Sequence, residues 1–155
     1  MLTLNLVYFS LVVVMTGFAT FVYVWISTGQ KITPVDAEFE SLLRIITIAT
    51  VPAGMGISYV AFKTVIKGIP AEMPLASKLH RYQSAVIVRG AGFEIPGTFA
   101  AVASFITGNV SFLLFTAVIV VLFLLFRPTI AAITNDLQLT ATERSDLENN
   151  QPFTR

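Results

Sequence analysis

The sequence predicts an all-α protein: an integral membrane four-helix bundle with a short cytoplasmic C-terminal tail. Three observations lead there. Of the 155 residues, 55% are hydrophobic and only 12% are charged, whereas an ordinary soluble domain carries about 25% charged residues. Mean hydropathy is +0.77. The apolar residues gather in four runs, about 4–26, 42–66, 82–107 and 110–126, each near the ~20 residues that cross the hydrocarbon core of a bilayer as a helix.

The first run, "MLTLNLVYFSLVVVMTGFATFVYVWIS", opens without lysine or arginine and stays apolar too long for a cleaved leader, so it reads as a retained span. Ahead of the second run, Thr33, Pro34 and Asp36 suit an N-cap, a first-turn proline and a first-turn acid, and the second helix is expected to begin before its apolar part. The second and third runs are joined by "KGIPAEMPLASKLHR", polar and with two prolines. Only Gly108 and Asn109 separate the third run from the fourth, which demands a tight antiparallel hairpin. Beyond Arg127 and Pro128 the chain turns mixed in character. Thr140 and Glu143 have capping-box spacing, so a short helix over about 141–148 is expected. The chain thus divides into a four-span domain, 1–133, and a soluble tail, 134–155.

Lysine and arginine set the orientation. Lys63, Lys67, Lys78 and Arg81 gather at the central connection, which is therefore expected in the cytoplasm of a cell with the protein in its inner membrane. Four spans put both termini on that side as well, and Arg127 agrees. Arg44 and Arg89 read as snorkelling anchors near opposite faces; Trp25 and Tyr82 read as interfacial belt residues.

The composition narrows function mainly by exclusion. A net charge of +1 offers nothing to nucleic acid. With no cysteine and one histidine, His80, neither a disulfide framework nor a multi-histidine metal site is expected. No nucleophile sits with a base and no metal-ligand cluster stands out, so catalysis, a cofactor and a metal are not expected. The expected partners are the lipid bilayer and either further copies of the chain or the other subunits of a membrane complex.

One residue resists this description. Glu94 falls at the centre of the third run, where an ionised side chain facing lipid costs about 2.5–3.5 kcal/mol on insertion scales. Arg89 is about 140° round the same helix and roughly 7.5 Å along it, poorly placed to pair with it. Two escapes remain: protonation, or a polar niche between helices. In a hairpin turning near Leu75, position 94 stands level with position 56, within "VPAGMGIS". Gly54 and Gly56 allow close approach, Pro52 and Pro96 leave backbone carbonyls free, and Ser58 offers a hydroxyl to the niche or to its own helix. Glu94 therefore reads either as an ion- or proton-binding carboxyl or as a polar lock between packed helices.

The stretch from about residue 49 to 105 resembles the helical hairpin of the proteolipid, or c, subunit of rotary ATPases. "AGMGISYVAFKTVIKGI" is similar to the end of that family's first helix, and "PAEMPLASKLHR" to its polar loop. "FEIPGTFAAVASF" is similar to the stretch in which a glutamate is followed by a small residue, proline, glycine and an aromatic. The resemblance implies that Glu94 binds H⁺ or Na⁺ and that Pro96 is the proline beside the carboxylate. The whole layout, with "FRPT" and "DLQLTATERSDLE", looks like small bacterial four-helix membrane proteins of uncharacterised activity.

Overall fold

The computed structural model describes residues 2–29 and 35–149. Among them every regular element is helical: α1 (Leu2–Ser27), α2 (Ala37–Lys67), α3 (Leu75–Thr107), a 3₁₀ turn (Val110–Phe112) leading into α4 (Leu113–Leu125), α5 (Ile130–Leu137) and α6 (Ala141–Asn149). Three of these helices are long and apolar enough to cross a membrane. The count reaches four if α4 with its 3₁₀ turn and α5, bent by 74° at "FRPT", are taken as one span. Where a four-helix bundle with a tail is expected, the described residues hold six α-helices. The extra helices arise because the polar tail folds into two short ones.

Helix ends follow capping chemistry, and apolarity marks them less well. α2 starts where the Asp36 carboxylate accepts from Phe39 N–H at 2.6 Å, ahead of its apolar part as expected; Thr33 and Pro34 lie outside the described residues. α3 starts at Leu75, behind Pro74, seven positions before the expected Tyr82. The reason is that "LASKLHR" propagates a helix well although it is too polar for hydrocarbon. The connection from α2 to α3 shrinks to 68–74. At the far end Gly108, at φ 69°, closes α3 in the left-handed conformation that a Cβ would penalise. Asn109 then accepts from Ser111 N–H and starts the 3₁₀ turn, giving the tight hairpin in two residues.

α3 lies at the centre, flanked by α1, α2 and α4, because its buried positions are small: Ala85, Gly90, Gly97, Ala100, Ala101 and Ala103 among them. Small residues let helix backbones approach closely, which is how packing is gained where lipid removes the hydrophobic drive between helices. Over Gly90 lies Leu11 of α1, 3.1 Å from where a Cβ would stand; at Gly97 a Cβ would run into Met15 and come within 3.1 Å of Ile119. Hydroxyls fasten the flanking helices to backbone carbonyls: Thr116 donates to Gly97 O at 2.8 Å, Ser58 to Arg89 O at 2.7 Å, and Tyr8 of α1 to Phe123 O of α4 at 2.7 Å.

α5 and α6 fold back over the lysine-rich end. Thr129 caps α5, Ile133 and Leu147 are buried, and the division drawn at residue 133 falls inside α5. Thr140 and Glu143 form the capping box: Thr140 N–H donates to the Glu143 carboxylate at 2.9 Å, and Glu143 N–H to Thr140 Oγ1 at 3.3 Å. The same carboxylate accepts from Lys78 of α3 at 2.6 Å, and Lys78 is only 3% exposed. The Lys78 hydrogen bond, helped by that from Thr140 N–H, holds the Glu143 carboxyl below the usual carboxylate range.

Candidate functional site

The residues expected to form one niche sit on different faces. On a helix, neighbours share a face at spacings of four, and a spacing of two moves a side chain about 200° round. Gly54 and Ser58 therefore share the inner face of α2, while Pro52 and Gly56 share the outer one. A Cβ on Gly54 would lie 2.8 Å from Gly92 O and 3.0 Å from Pro96 Cγ; one on Gly56 would meet nothing within 4 Å. Pro52 and Gly56 are exposed, whereas Ser58 and Pro96 are buried. The seam between α2 and α3 is thus Gly54 and Ser58 against Gly92, Pro96 and the Arg89 backbone. Pro96 lacks an N–H, which leaves Gly92 O without its helical donor, and Gly54 lets α2 close over that carbonyl.

Glu94 is not on this seam. It stands about 160° from both Gly92 and Pro96 round α3, each two positions away. It is closer, about 40° and 60°, to Gly90 and Gly97, which puts it on the α1 flank. It is half-buried, and among the described residues it makes neither a hydrogen bond nor an ion pair. α1 and α4 contain no charged residue, so neither flank offers it a counter-ion.

Arg89 is turned inward and serves three helices at once. Its guanidinium lies 4.4 Å over the Phe62 ring of α2, and Nη2 donates at 2.7 Å to Phe126 O, one of the terminal carbonyls of α4. A cation at a helix C-terminus complements the helix dipole. Nε is buried and, among the described residues, has no partner. Beside it opens a cavity of about 310 Å³ that also reaches Lys63 and Asp136. Lys63 Nζ is 3.4 Å from Asp136, whose other oxygen accepts from Tyr82 at 3.3 Å.

The other expected anchors divide. Tyr82 is 1% exposed and packs edge-on to Phe62, with ring centroids 5.9 Å apart. It is a core residue, because α3 begins two turns earlier and α5 covers it. Trp25 is partly exposed beside Phe21 and Phe105. Arg127 is exposed. Arg44 pairs with Glu40 at 2.9 Å, and Glu40 also accepts from Asn109 at 2.8 Å, joining the start of α2 to the α3–α4 turn.

Sequence reasoning passed over Gly92 and Asp136, and used Lys63 only as one of the charges that orient the chain. The first was findable, since Gly92 and Pro96 are four apart in "RGAGFEIPG" and share a face; Asp136 carries no local signal, because its place depends on how α5 folds back. Fold and site together define an all-helical protein with three, or at most four, helices fit to cross a membrane, and with an unpaired carboxyl and a half-buried arginine on its central helix. Comparison with known protein families, curated proteins and solved structures finds no match.

Proposed function

We propose that this chain is a small multi-pass membrane protein in which Glu94 reversibly binds a proton or a monovalent cation. The observation that carries the reading is the unused hydrogen-bonding capacity of Glu94, half-buried on α3 between two flanks without charge. A carboxyl whose purpose was to bridge two helices of this chain would be bonded to one of them. Depth supports the reading. Counted from Thr107 at about 1.5 Å per residue, Glu94 lies roughly 20 Å into a hydrocarbon layer about 30 Å thick. The bilayer setting itself is supported by aliphatic side chains turned outward on several helices, Val13, Ile57, Ile95 and Leu114 among them, a coverage that soluble monomers avoid. Lysine and arginine at the α2–α3 connection support an orientation with that connection, both termini and α5–α6 in the cytoplasm.

A second reading has its own support. Ile95, about 100° round α3 from Glu94, is 70% exposed, which leaves room for a neighbouring chain beside the half-buried Glu94. Glu94 would then be a polar lock between subunits, in a homo-oligomer or in a larger membrane complex.

A hydrophobic carbodiimide, which modifies protonated carboxyls in apolar surroundings, separates the two in native membranes. Ion binding gives rapid labelling of Glu94, suppressed by high pH or by Na⁺ and abolished in Glu94→Gln. Absence of labelling, or labelling that neither condition changes, overturns ion binding. The Gln variant retains a neutral hydrogen-bonding group, so a lock should survive it while proton transfer should not.

A further inference from the structure

We propose that the cavity between α2, α3 and α4 holds an anionic phospholipid, with its phosphate on Arg89 and Lys63 and part of an acyl chain against the apolar wall. The proposal rests on the bilayer setting given above but not on the chemistry of Glu94.

The polar end of the cavity suits a phosphate. A guanidinium presents its donors in a fixed fork that matches phosphate oxygens. At Arg89 one arm, Nη2, is occupied by Phe126 O, while Nε is buried and unpartnered. A buried donor without a partner is unfavourable, and because Arg89 lines the cavity, a small rotation of its guanidinium would bring Nε to a ligand oxygen there. Lys63 lines the same cavity. Its pairing with Asp136 is loose, at 3.4 Å, and Asp136 is shared with Tyr82. Two cations against one carboxylate leave the cavity a net positive charge, which selects an anion.

The remainder suits an acyl chain. Met55, Phe93 and Phe126 form an apolar wall, and the volume of about 310 Å³ is at the lower end of the ~300–1,000 Å³ typical of ligand pockets. Tyr59 and Phe126, at the mouth, are 62% and 45% exposed, because α2 and α4 both pack on α3 while scarcely meeting each other. The opening therefore faces sideways, as entry from a bilayer requires. Arg89 is also at headgroup depth. It lies 18 positions before Thr107, roughly 27 Å along α3 and so close to the far edge of a hydrocarbon layer about 30 Å thick. α4 ends at the same level, since Arg89 binds its last turn. Basic pockets between helices on the cytoplasmic side are suited to acidic headgroups.

The test uses the full chain, purified and delipidated in a mild detergent, with binding read by native mass spectrometry and by the shift in Tm. Phosphatidylglycerol should remain bound and raise Tm, phosphatidylcholine should bind at least about tenfold more weakly, and inorganic phosphate should give no shift. Arg89→Lys, which keeps the charge but loses the fork, should weaken phosphatidylglycerol binding about tenfold. Because Arg89 also caps α4, Met55→Trp provides the second arm: it fills the cavity from the α2 side, and it should lower lipid affinity by a similar factor while leaving the lipid-free Tm and carbodiimide labelling of Glu94 unchanged. Equal binding of the two lipids, or unaltered phosphatidylglycerol binding in Met55→Trp, overturns the proposal. So does an equal response to inorganic phosphate, which would make this a free-anion site.

Discussion

Replacing Gly54 by alanine is the sharpest probe of how α2 and α3 meet. The new methyl would stand 2.8 Å from Gly92 O and 3.0 Å from Pro96 Cγ. Neither can swing aside: one is backbone, the other is a ring fixed to backbone, so α2 must move off the seam. Overpacking of this kind costs about 1–3 kcal/mol. The shift also strains the 2.7 Å bond from Ser58 to Arg89 O, a type of interhelical bond that averages about 0.6 kcal/mol in membrane proteins. Alanine returns up to about 1 kcal/mol of helix propensity, so the net loss is roughly 0.5–2.5 kcal/mol. Gly56→Ala receives the same propensity gain with nothing within 4 Å to collide with, and should be neutral to slightly stabilising. Thermal unfolding in detergent, at about 2–4 °C per kcal/mol for a chain of this size, should place Gly54→Ala several degrees below both wild type and Gly56→Ala. A Gly54→Ala protein as stable as Gly56→Ala would refute the seam.

Thr116→Val removes the bond to Gly97 O and leaves the volume nearly unchanged, so a loss of about 0.5–1.5 kcal/mol in the same assay is expected. Asn109→Ala removes both the cap of the 3₁₀ turn and the bond to Glu40; a loss of about 1–2 kcal/mol is expected, with Arg44→Ala smaller because its ion pair is half-exposed. Docking of α6 should depend on pH. The folded-state pKa of Glu143 is depressed, so its contribution is fully present above the ordinary carboxylate value and is lost as the pH falls through the folded value. Limited proteolysis should therefore release the tail in acid but not at neutral pH, and Glu143→Gln should release it more readily at neutral pH; a tail equally protected in both proteins at both pH values would contradict the Lys78–Glu143 contact.

What was legible in the sequence was whatever is written in runs. Four apolar stretches locate the long helices, "GN" the hairpin, and the Thr140–Glu143 spacing the start of α6. Helix extent was less legible at "LASKLHR", because hydropathy measures fitness for lipid while helix formation depends on caps and propensity. That error carried Tyr82 from the core to an expected surface. The expected niche went astray for a geometric reason: matching positions 56 and 94 by height fixes only the level, and the rotation of α3 decides which side chain meets α2. Gly92 and Pro96 do so, and Glu94 stands on another flank. The contacts of Arg89 and Asp136 were beyond reach, since their partners Phe126 and Lys63 are far away in the chain, the first brought in by the α3–α4 hairpin and the second by the bend at Pro128.

The central claim, that Glu94 takes up and releases an ion within the membrane, is tested most directly by infrared difference spectroscopy on the chain reconstituted in lipid, wild type against Glu94→Gln. The account predicts a protonated-carboxyl band in wild type that is missing from the variant, fades as the pH is raised or Na⁺ is added, and returns when the change is reversed. A difference spectrum with no such band at any pH, or with a band that neither pH nor Na⁺ alters, would contradict it.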